Sequence, residues 1–554
     1  MSQNVTPVVR YLGGETGHRS FFGGTHSRTR IALLALFMIS GLILTPLIGW
    51  PGLAIAVGGC GLTFLVTART HRGSIMDRHR KRARWKHRTR TGTTRYQPFD
   101  VAAWDQAEQA LTDATHTRGT TSKETAAAAR QTLAALRANP DGADGMGWLQ
   151  CGRGEPGIAW HAPAGERSYL SVTFSVTGQL RGIESATVMA QAAEGWGLFL
   201  AGRAVPSVLA DTVQTTTRIL PADSALQEFW VLNSLDDSVP PDAIRSYEDV
   251  LRLTGEDAMV QRHYITVSWP ITSTFTDTAA KYGPDRDGWR NLMRTEIAAT
   301  VRGLTEARMG QVEPLTARQL GAVMLHQQNP SRPIDFVADV HPTRLGEASR
   351  DEFSAHVVAG QNPTTGAPTE WWHRTAAVRA EAVATGPRTP LWVLDLLIGR
   401  DIQVIRSVSF HLRLVPAMEA KIAARQDLVR DTAERMSRVQ AGKFDTDDTV
   451  VAMTAAQRRR DDLTAGTHHH GANWVGYITI STPTRDELSQ ASRRLEDVCA
   501  TSLGVDRLDW QDSYQAAASG TTWPIGRGLA TPTTGMSAHL YRKLAGRTEK
   551  DALT

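Results

Sequence analysis

The hydrophobic pattern separates one long uncharged stretch near the start of the chain from a series of shorter strand and helix patterns. No charged side chain occurs from residue 31 to residue 68. The two halves, 31–50 and 51–68, each approach the roughly 20 apolar residues that a helix needs to cross a bilayer. Pro46 and Gly49 lie in the middle, where a turn is expected. The pattern predicts a transmembrane helical hairpin.

Cationic side chains flank this hairpin on both sides, and membrane proteins keep such residues on the cytoplasmic side. Four arginines precede it, between residues 10 and 30. The cluster that follows it includes Arg69, Arg72, Arg78, Arg80, Lys81, Arg82, Arg84, Lys86, Arg88 and Arg90. Two spans with basic flanks predict a protein of the inner or plasma membrane with both termini in the cytoplasm. A basic cluster beside a span also predicts binding to anionic membrane lipids.

Three other interpretations of this region stay open. A cleaved signal peptide has an apolar core of only about 7–15 residues, and the stretch here is far longer. A hairpin buried in a soluble protein is a second explanation, although long uncharged runs are unusual in soluble cores. Binding of the basic cluster to nucleic acid is a third. Anionic lipid is the simpler partner, so direct nucleic-acid binding is not expected.

Composition adds two constraints. The 554 residues carry a net charge of +5, and the flanks of the hairpin supply most of the excess. The remaining chain is mildly acidic, so its charge does not indicate a nucleic-acid partner for the main body. The three cysteines, Cys60, Cys151 and Cys499, are far apart and form no CxxC pair. This spacing argues against a zinc module or a disulfide scaffold and fits a reducing cytoplasm.

Beyond residue 160 the pattern predicts a first α+β unit. Strand patterns occur at 170–176, 212–220 and 263–271, and helix patterns occur at 185–204 and 287–308. The order is strand, helix, strand, strand, helix, which is that of the ferredoxin-like split βαβ arrangement. The glycine-dense stretch before this unit, in contrast, is expected to be a loop.

The pattern recurs in a second unit. Strand patterns occur at 370–378, 402–415 and 475–481, and a helix pattern follows at 484–503. A highly charged helical hairpin, residues 417–463, is inserted between the second and third strands. The predicted fold is therefore α+β, with an N-terminal transmembrane helical hairpin and a cytoplasmic body of two ferredoxin-like units. The expected segments are a polar leader (1–30), the hairpin (31–68), a basic juxtamembrane segment with linker helices (69–160), the two units (161–345 and 346–530) and a flexible tail (531–554).

No motif in the chain predicts chemistry. The nearest approach to a phosphate-binding loop, residues 441–444, lacks the upstream glycine and the Ser/Thr that the P-loop requires. The three consecutive histidines at 468–470 point in different directions on any regular element, so a surface loop is expected instead of a metal site. Neither catalytic residues nor cofactor-binding or metal-binding residues are predicted, and an enzyme is the third-ranked class.

One charged run is a candidate for partner docking. Arg458, Arg459 and Arg460 follow one another in the returning arm of the charged hairpin. A solvated helix face is the simplest interpretation of such a run, and a docking face for another protein is the alternative.

Several short sequences, in their order along the chain, carry a resemblance to a known family. They are the Tyr-Leu-Gly-Gly leader at 11–14, the Trp-Trp-His-Arg run at 371–374, the run at 510–515 and the closing run at 523–528. The chain resembles the actinobacterial membrane proteins encoded beside conjugation or type IV secretion-like ATPases. Trp523 stands where that family has the first leucine of a Leu-Pro-Leu-Gly signature.

The resemblance implies a function without chemistry of its own. In that family the hairpin corresponds to a two-span inner-membrane subunit, fused to a body similar to the non-motor N-terminal domain of the secretion ATPase. The implied function is a scaffold subunit of a conjugative or type IV secretion-like apparatus that docks a separate motor ATPase at the cytoplasmic face. Other channel subunits and further copies of the chain are the other implied partners. The alternative is a membrane-anchored scaffold of a type VII-like export system.

Overall fold

The computed structural model describes residues 10–12, 28–67, 74–116, 120–163, 167–179, 184–221, 233–234, 238–255, 259–332, 340–361, 365–384, 386–388, 392–398, 404–440, 454, 457–458, 461–463, 470–505 and 507–528. Most of the predicted leader and all of the predicted tail lie outside these residues. So do Arg69, Arg72, Arg459 and Arg460.

The described helices alternate with strands along most of the chain. They are α1 (Arg28–Ile48), α2 (Trp50–Thr67), α3 (Ile75–Thr91), α4 (Val101–His116), α5 (Thr120–Ala135), α6 (Ala186–Arg203), α7 (Pro241–Gly255), α8 (Ser273–Ala280), α9 (Asp285–Glu306), α10 (Ala317–Gln328), α11 (Leu394–Ile398), α12 (Ala417–Gln440), α13 (Arg485–Thr501) and α14 (Gln515–Gly520).

The first two helices, α1 and α2, pack along each other and are joined at Gly49. Gly49 has φ +76°, a left-handed conformation that favours glycine, and it lies where the pattern predicted the turn. Small residues allow the two helices to touch, because a methyl group added to Gly41 would lie 2.3 Å from the Cβ of Ala56. α2 is long and apolar enough to cross a membrane, whereas α1 contributes a shorter apolar helix, Ala32–Ile48.

A 14-stranded sheet forms the centre of the body, and a separate two-stranded sheet pairs β1 with β13. The strands are β1 (Arg10–Leu12), β2 (Arg95–Pro98), β3 (Leu136–Arg137), β4 (Met146–Gln150), β5 (Ile158–His161), β6 (Tyr169–Val176), β7 (Thr212–Pro221), β8 (Met259–Pro270), β9 (Val312–Pro314), β10 (Ser349–Asp351), β11 (His356–Gln361), β12 (Pro368–Arg379), β13 (Gly386–Arg388), β14 (Ile405–Val415), β15 (Gly471–Thr482) and β16 (Asp509–Trp510).

The large sheet consists of two halves with the same strand order. In the first half the order is β9–β6–β8–β7, and in the second it is β16–β12–β15–β14. All of these neighbours are antiparallel. β7 pairs antiparallel with β14, with Thr212 opposite Arg413 and Ile219 opposite Arg406. The two halves are therefore joined by pairing between one strand of each, β7 and β14.

One face of this sheet is apolar because the alternating side chains of its strands meet helices there. In the first half Phe174, Val267 and Trp269 pack with Leu292 and Leu304 of α9.

The second half is built in the same way. Val408 and Ile478 pack with Leu488 and Leu495 of α13. The mixed α+β class that the sequence predicted is confirmed, and the main strand patterns agree with the structure within a few residues.

The stretch before the first unit differs from the prediction. The glycine-dense segment was expected to be a loop, yet it contains β4, which pairs with β5. The small and polar residues 112–125 predict a surface loop, but α4 continues to His116 and α5 begins at Thr120. Both helices extend into this small and polar stretch, where α4 and α5 pack against each other. The segment expected to be a linker thus adds β2, β3 and β4 to the sheet.

Each half carries an insertion between its second and third strands. In the second half this insertion begins with α12, which starts at Ala417, where the charged hairpin was predicted to begin. In the first half the corresponding place is occupied by α7. Of the predicted returning arm, 450–463, only residues 454, 457–458 and 461–463 belong to the described part of the chain.

Gly520 of α14 makes a backbone contact that tolerates no side chain. A methyl group at Gly520 would lie 2.3 Å from the Cα of Gly142, in the turn before β4. We expect Gly520→Ala to lower the free energy of unfolding by about 1–3 kcal/mol, since the backbone must move. Urea unfolding followed by tryptophan fluorescence measures this loss.

The control for this prediction is Gly197→Ala in α6, where a methyl group would meet nothing within 4 Å. Alanine is the better helix former by up to about 1 kcal/mol, so this variant should be unchanged or more stable. Equal stability of the Gly520→Ala variant and the wild type would contradict the close contact.

Candidate functional site

The second face of the sheet is polar, although it is buried. Its side chains are mostly Ser, Thr, Gln, His and Arg, and they come from strands of both halves. The buried members include Ser171, Thr173, Gln214, Thr216, Arg218, Thr266, Ser268, His373, Thr375, Ser407, Ser409, His411, Thr479 and Ser481. Buried polar groups are costly unless they are hydrogen-bonded. The hydrogen-bond partners of these side chains therefore show which segments the polar face holds in place.

The first partner is the C-terminal segment 511–527, which we name the strap. Gln214 of β7 donates through Nε2 to the carbonyl oxygen of Trp523, at 2.9 Å, and accepts through Oε1 from the backbone N–H of Gly526, at 2.7 Å. In the second half, the Thr479 and Thr522 hydroxyls lie 2.9 Å apart. The strap therefore crosses both halves of the sheet.

The second partner is the C-terminal end of α10, whose last carbonyl groups have no partner within the helix. Arg218 of β7 donates through Nη2 to the carbonyl oxygen of His326 at 2.9 Å. His373 of β12 donates through Nε2 to the carbonyl oxygen of Gln328 at 2.8 Å. α10 follows the first half in sequence, so its bond to His373 ties it to the second half.

The histidines of this face stay neutral near pH 7. Burial lowers the pKa of His373 to about 3 and that of His411 to about 4. His411 Nε2 lies 2.8 Å from the carbonyl oxygen of Thr521 and donates to it. A neutral imidazole has one donor nitrogen, which fits a single bond to a carbonyl oxygen.

The basic juxtamembrane helix α3 contacts the body directly. It begins with a capping box between Ser74 and Asp77. Lys81, Trp85 and Arg88 are spaced four and three residues apart, so they share one helix face. Lys81 Nζ donates to the carbonyl oxygen of Trp510 at 2.6 Å, and the Trp85 ring contacts Phe353 edge-on, with centroids 6.1 Å apart.

Arg88 is the centre of a buried ion cluster. Its Nη1 lies 2.6 Å from Oδ2 of Asp351, and its Nη2 lies 3.0 Å from Oδ2 of Asp141. Nη1 also donates to the carbonyl oxygen of Ser513 at 2.9 Å, and the guanidinium lies 4.4 Å from the centre of the Tyr514 ring. Burial raises the pKa of Asp141, against the opposing effect of Arg137 and Arg88.

This geometry changes the membrane-surface prediction for two residues. Arg88 is only 6% exposed and Lys81 is partly buried, because both side chains point into the body. Arg88 therefore cannot reach lipid headgroups. The exposed cations of α3 are Arg78, Arg80, Arg82, Arg84, Lys86 and Arg90.

The predicted docking run is described at one position. Arg458 is exposed in a short helical piece, and Arg459 and Arg460 fall outside the described residues. His470, the last of the three consecutive histidines, accepts through Nδ1 from the backbone N–H of Ala417 at 3.1 Å.

Within the described ranges, no group of three His, Cys, Asp or Glu side chains is arranged to hold a metal ion. The three cysteines are free thiols. Burial raises the pKa of Cys499 to about 12, so this thiol stays protonated near neutral pH.

Two comparisons with known proteins give no match to this chain. No protein-family model matches the sequence. A search of curated proteins also finds no matching relative.

Sequence reasoning missed the cluster around Arg88. The two carboxylates that bind Arg88 lie far from it in sequence, at 141 and 351, so no local pattern joins them. One signal was available, because Trp85 interrupts a run of cations at a spacing that places it beside Lys81 and Arg88. An apolar ring in such a run indicates a face that packs against protein.

We expect Arg88→Met to lower the free energy of unfolding at pH 7 by about 3–5 kcal/mol, because Asp141 and Asp351 are left buried without their cation. The loss should shrink as the pH falls. The pKa of Asp141 is raised in the folded state, so its carboxyl is neutralised earlier there than in the unfolded chain. Denaturant unfolding at pH 7 and at pH 5 measures both effects.

Arg90→Met is the matched control, because Arg90 lies on the same helix and is exposed. It should change stability by less than about 0.5 kcal/mol. Similar small losses in both variants would contradict a central role for Arg88.

Proposed function

We propose that this chain is a non-catalytic inner-membrane scaffold subunit of a conjugative or type IV secretion-like apparatus, which docks a separate motor ATPase at the cytoplasmic face. The resemblance of the sequence runs motivates the choice of apparatus. The observation that carries the scaffold role is the contact between α3 and the body, in which Arg88 pairs with Asp141 and Asp351. It fixes an apolar helical hairpin to an α+β body through buried ion pairs.

Exposed apolar surface supports a membrane location for the hairpin. Leu42 is 78% exposed in α1, and Trp50 is 78% exposed at the start of α2. Burying such side chains in hydrocarbon is favourable by roughly 25 cal/mol per Å² of apolar surface. We propose that both α1 and α2 span the membrane.

The two-stranded sheet of β1 and β13 supports two membrane crossings by the hairpin instead of one. β1 precedes the hairpin and pairs with β13 of the body, with Arg10 opposite Arg388 and Leu12 opposite Gly386. α3 follows the hairpin and also contacts the body. The chain therefore lies on the same side of a membrane before and after the hairpin, which requires an even number of crossings. With α2 as one span, α1 supplies the other, and both termini lie in the cytoplasm.

The exposed cations of α3 support binding to anionic lipid. Arg78, Arg82, Lys86 and Arg90 are four residues apart, so they form one stripe on the side of the helix away from Arg88. Each cation near an anionic membrane surface contributes about 1 kcal/mol of attraction. We propose that this stripe lies against the headgroups of the inner leaflet.

Strand order also supports the proposal that each half of the body is a ferredoxin-like unit. If the four strands of each half are numbered 1 to 4 along the chain, β9–β6–β8–β7 and β16–β12–β15–β14 both have the spatial order 4-1-3-2. Helices follow the first and third strands in both halves. This is the arrangement that a split βαβ unit produces.

Topology labelling tests the two-span proposal in intact cells that express the full chain. Trp50→Cys places a thiol at the tip of the hairpin, and we expect a membrane-impermeant maleimide to label it from outside. Cys151 is exposed on the body and serves as the internal control, so it should react only after the membrane is opened. Labelling of Cys151 in intact cells would contradict the proposed orientation.

The charged insertion is the proposed docking surface for the motor. α12 exposes Met418, Ile422, Val429 and Met436, which are 77%, 53%, 69% and 63% exposed. Their spacing of four, seven and seven residues places them in one stripe, as on a helix that packs against a partner helix. Arg458 lies farther along the same insertion.

Co-purification tests the docking proposal and distinguishes the two apparatus classes. The full chain, extracted from its native membrane in mild detergent, should retain a hexameric-type ATPase. Recovery of type VII export components in its place would favour the alternative. Replacing Arg458, Arg459 and Arg460 with Glu should reduce ATPase recovery about tenfold, equivalent to about 1.4 kcal/mol. Arg294→Glu, on the exposed side of α9, is the control and should leave recovery unchanged.

A further inference from the structure

The most unusual charged group in the body is Arg218 of β7. Its side chain is fully buried, yet among the described residues its only hydrogen bond is the one from Nη2 to the carbonyl oxygen of His326, at 2.9 Å. Nε and Nη1 have no hydrogen-bond partner among the described residues. No carboxylate of the described chain forms an ion pair with it. A buried cation without a counter-charge is strongly unfavourable, so this arrangement requires an explanation.

Capping of α10 explains only part of the arrangement. One N–H of Arg218 satisfies a carbonyl group at the helix C-terminus, which is a familiar role for a cation. The other buried arginine of this sheet, Arg406, is satisfied much more completely. Its Nε donates to the carbonyl oxygen of Leu396 at 2.7 Å, and its Nη2 donates to that of Leu397 at 3.1 Å. The N–H groups on Nε and Nη1 of Arg218 are thus hydrogen-bond donors that the capping of α10 does not use.

The surroundings of Arg218 add positive charge. Arg262 of β8 is directly opposite Arg218 in the antiparallel register. His326 and Gln327 of α10 are also buried, and His326 Nδ1 and Gln327 Oε1 have no partner among the described residues. Burial, together with the charge of Arg262, lowers the pKa of Arg218 to about 9, which still leaves the guanidinium charged near pH 7.

We propose that Arg218 and Arg262 bind a small inorganic oxyanion of the phosphate or sulfate type between β7, β8 and the C-terminal end of α10. Guanidinium groups bind such oxygens through several charge-assisted hydrogen bonds. The anion would accept from Nε or Nη1 of Arg218 and would separate two like charges. Because Arg218 is enclosed, the position excludes a ligand as large as a nucleotide. The anion would hold α10 against both halves of the sheet.

Equilibrium dialysis of the full chain in detergent, freed of phosphate and sulfate, tests this site with labelled inorganic phosphate as the probe. We expect the wild type to bind phosphate, sulfate to compete with it, and saturating phosphate to raise Tm by on the order of 2 °C. Arg218→Met should abolish both the binding and the shift in Tm. In anion-free buffer this variant should be at least as stable as the wild type, because it removes an uncompensated buried charge.

Two further variants keep the test decisive. Arg406→Met is the matched control, and it should lose stability but keep phosphate binding, because Arg406 bonds only carbonyl groups in the hydrogen bonds described above. Arg262→Gln should weaken phosphate binding about tenfold while the protein still folds. The proposal is overturned if the wild type binds neither ion, if the Arg218→Met variant still binds phosphate, or if only ATP binds.

Discussion

Hydrogen bonds between the polar face of the sheet and the backbone of two covering segments hold the body together. The strap follows the second half in sequence, yet it bonds Gln214 of the first half. α10 follows the first half, yet it bonds His373 of the second half. Each half thus covers part of the other. The buried polar side chains need these backbone partners, because without them their desolvation would be uncompensated.

The pairing of β7 with β14 places these segments within reach of both halves. It joins the two units through the second strand of each, so the sheet continues without a gap and the polar face continues with it. The two insertions, α7 and α12, then leave from opposite ends of the sheet, because β7 and β14 run in opposite directions. Strand pairing therefore decides which surfaces remain available to partners.

The Arg88 cluster connects this body to the apolar hairpin. Arg88 bonds Asp141, before the first half, Asp351, before the second half, and the backbone of the strap at Ser513. One side chain thereby contacts three distant parts of the chain at the end of a helix that follows α2. A force acting on the hairpin would reach both halves through this cluster. Such coupling suits a scaffold that has to hold a body in a fixed place.

Local patterns predicted much of the secondary structure, and the reasons are visible in particular elements. β6 and β14 alternate apolar and polar residues, and α12 follows the charged helical pattern of its sequence. β4 was missed because its short glycine-containing run acquires strand character only by pairing with β5. The body-facing side of α3 was missed as well, because the contacts of Lys81 and Arg88 involve carboxylates and carbonyls that are distant in sequence.

Local sequence patterns are enough to specify the uncharged hairpin, the basic helix that follows it, and the α+β class of the body. These properties depend on the spacing of apolar and charged residues within a single helix or strand. The three-dimensional structure was needed to show that the two halves share one sheet, that Arg88 is buried and that Arg218 is enclosed. Strand pairing and ion pairing join residues that are far apart along the chain, and no local pattern records which partner each residue will have.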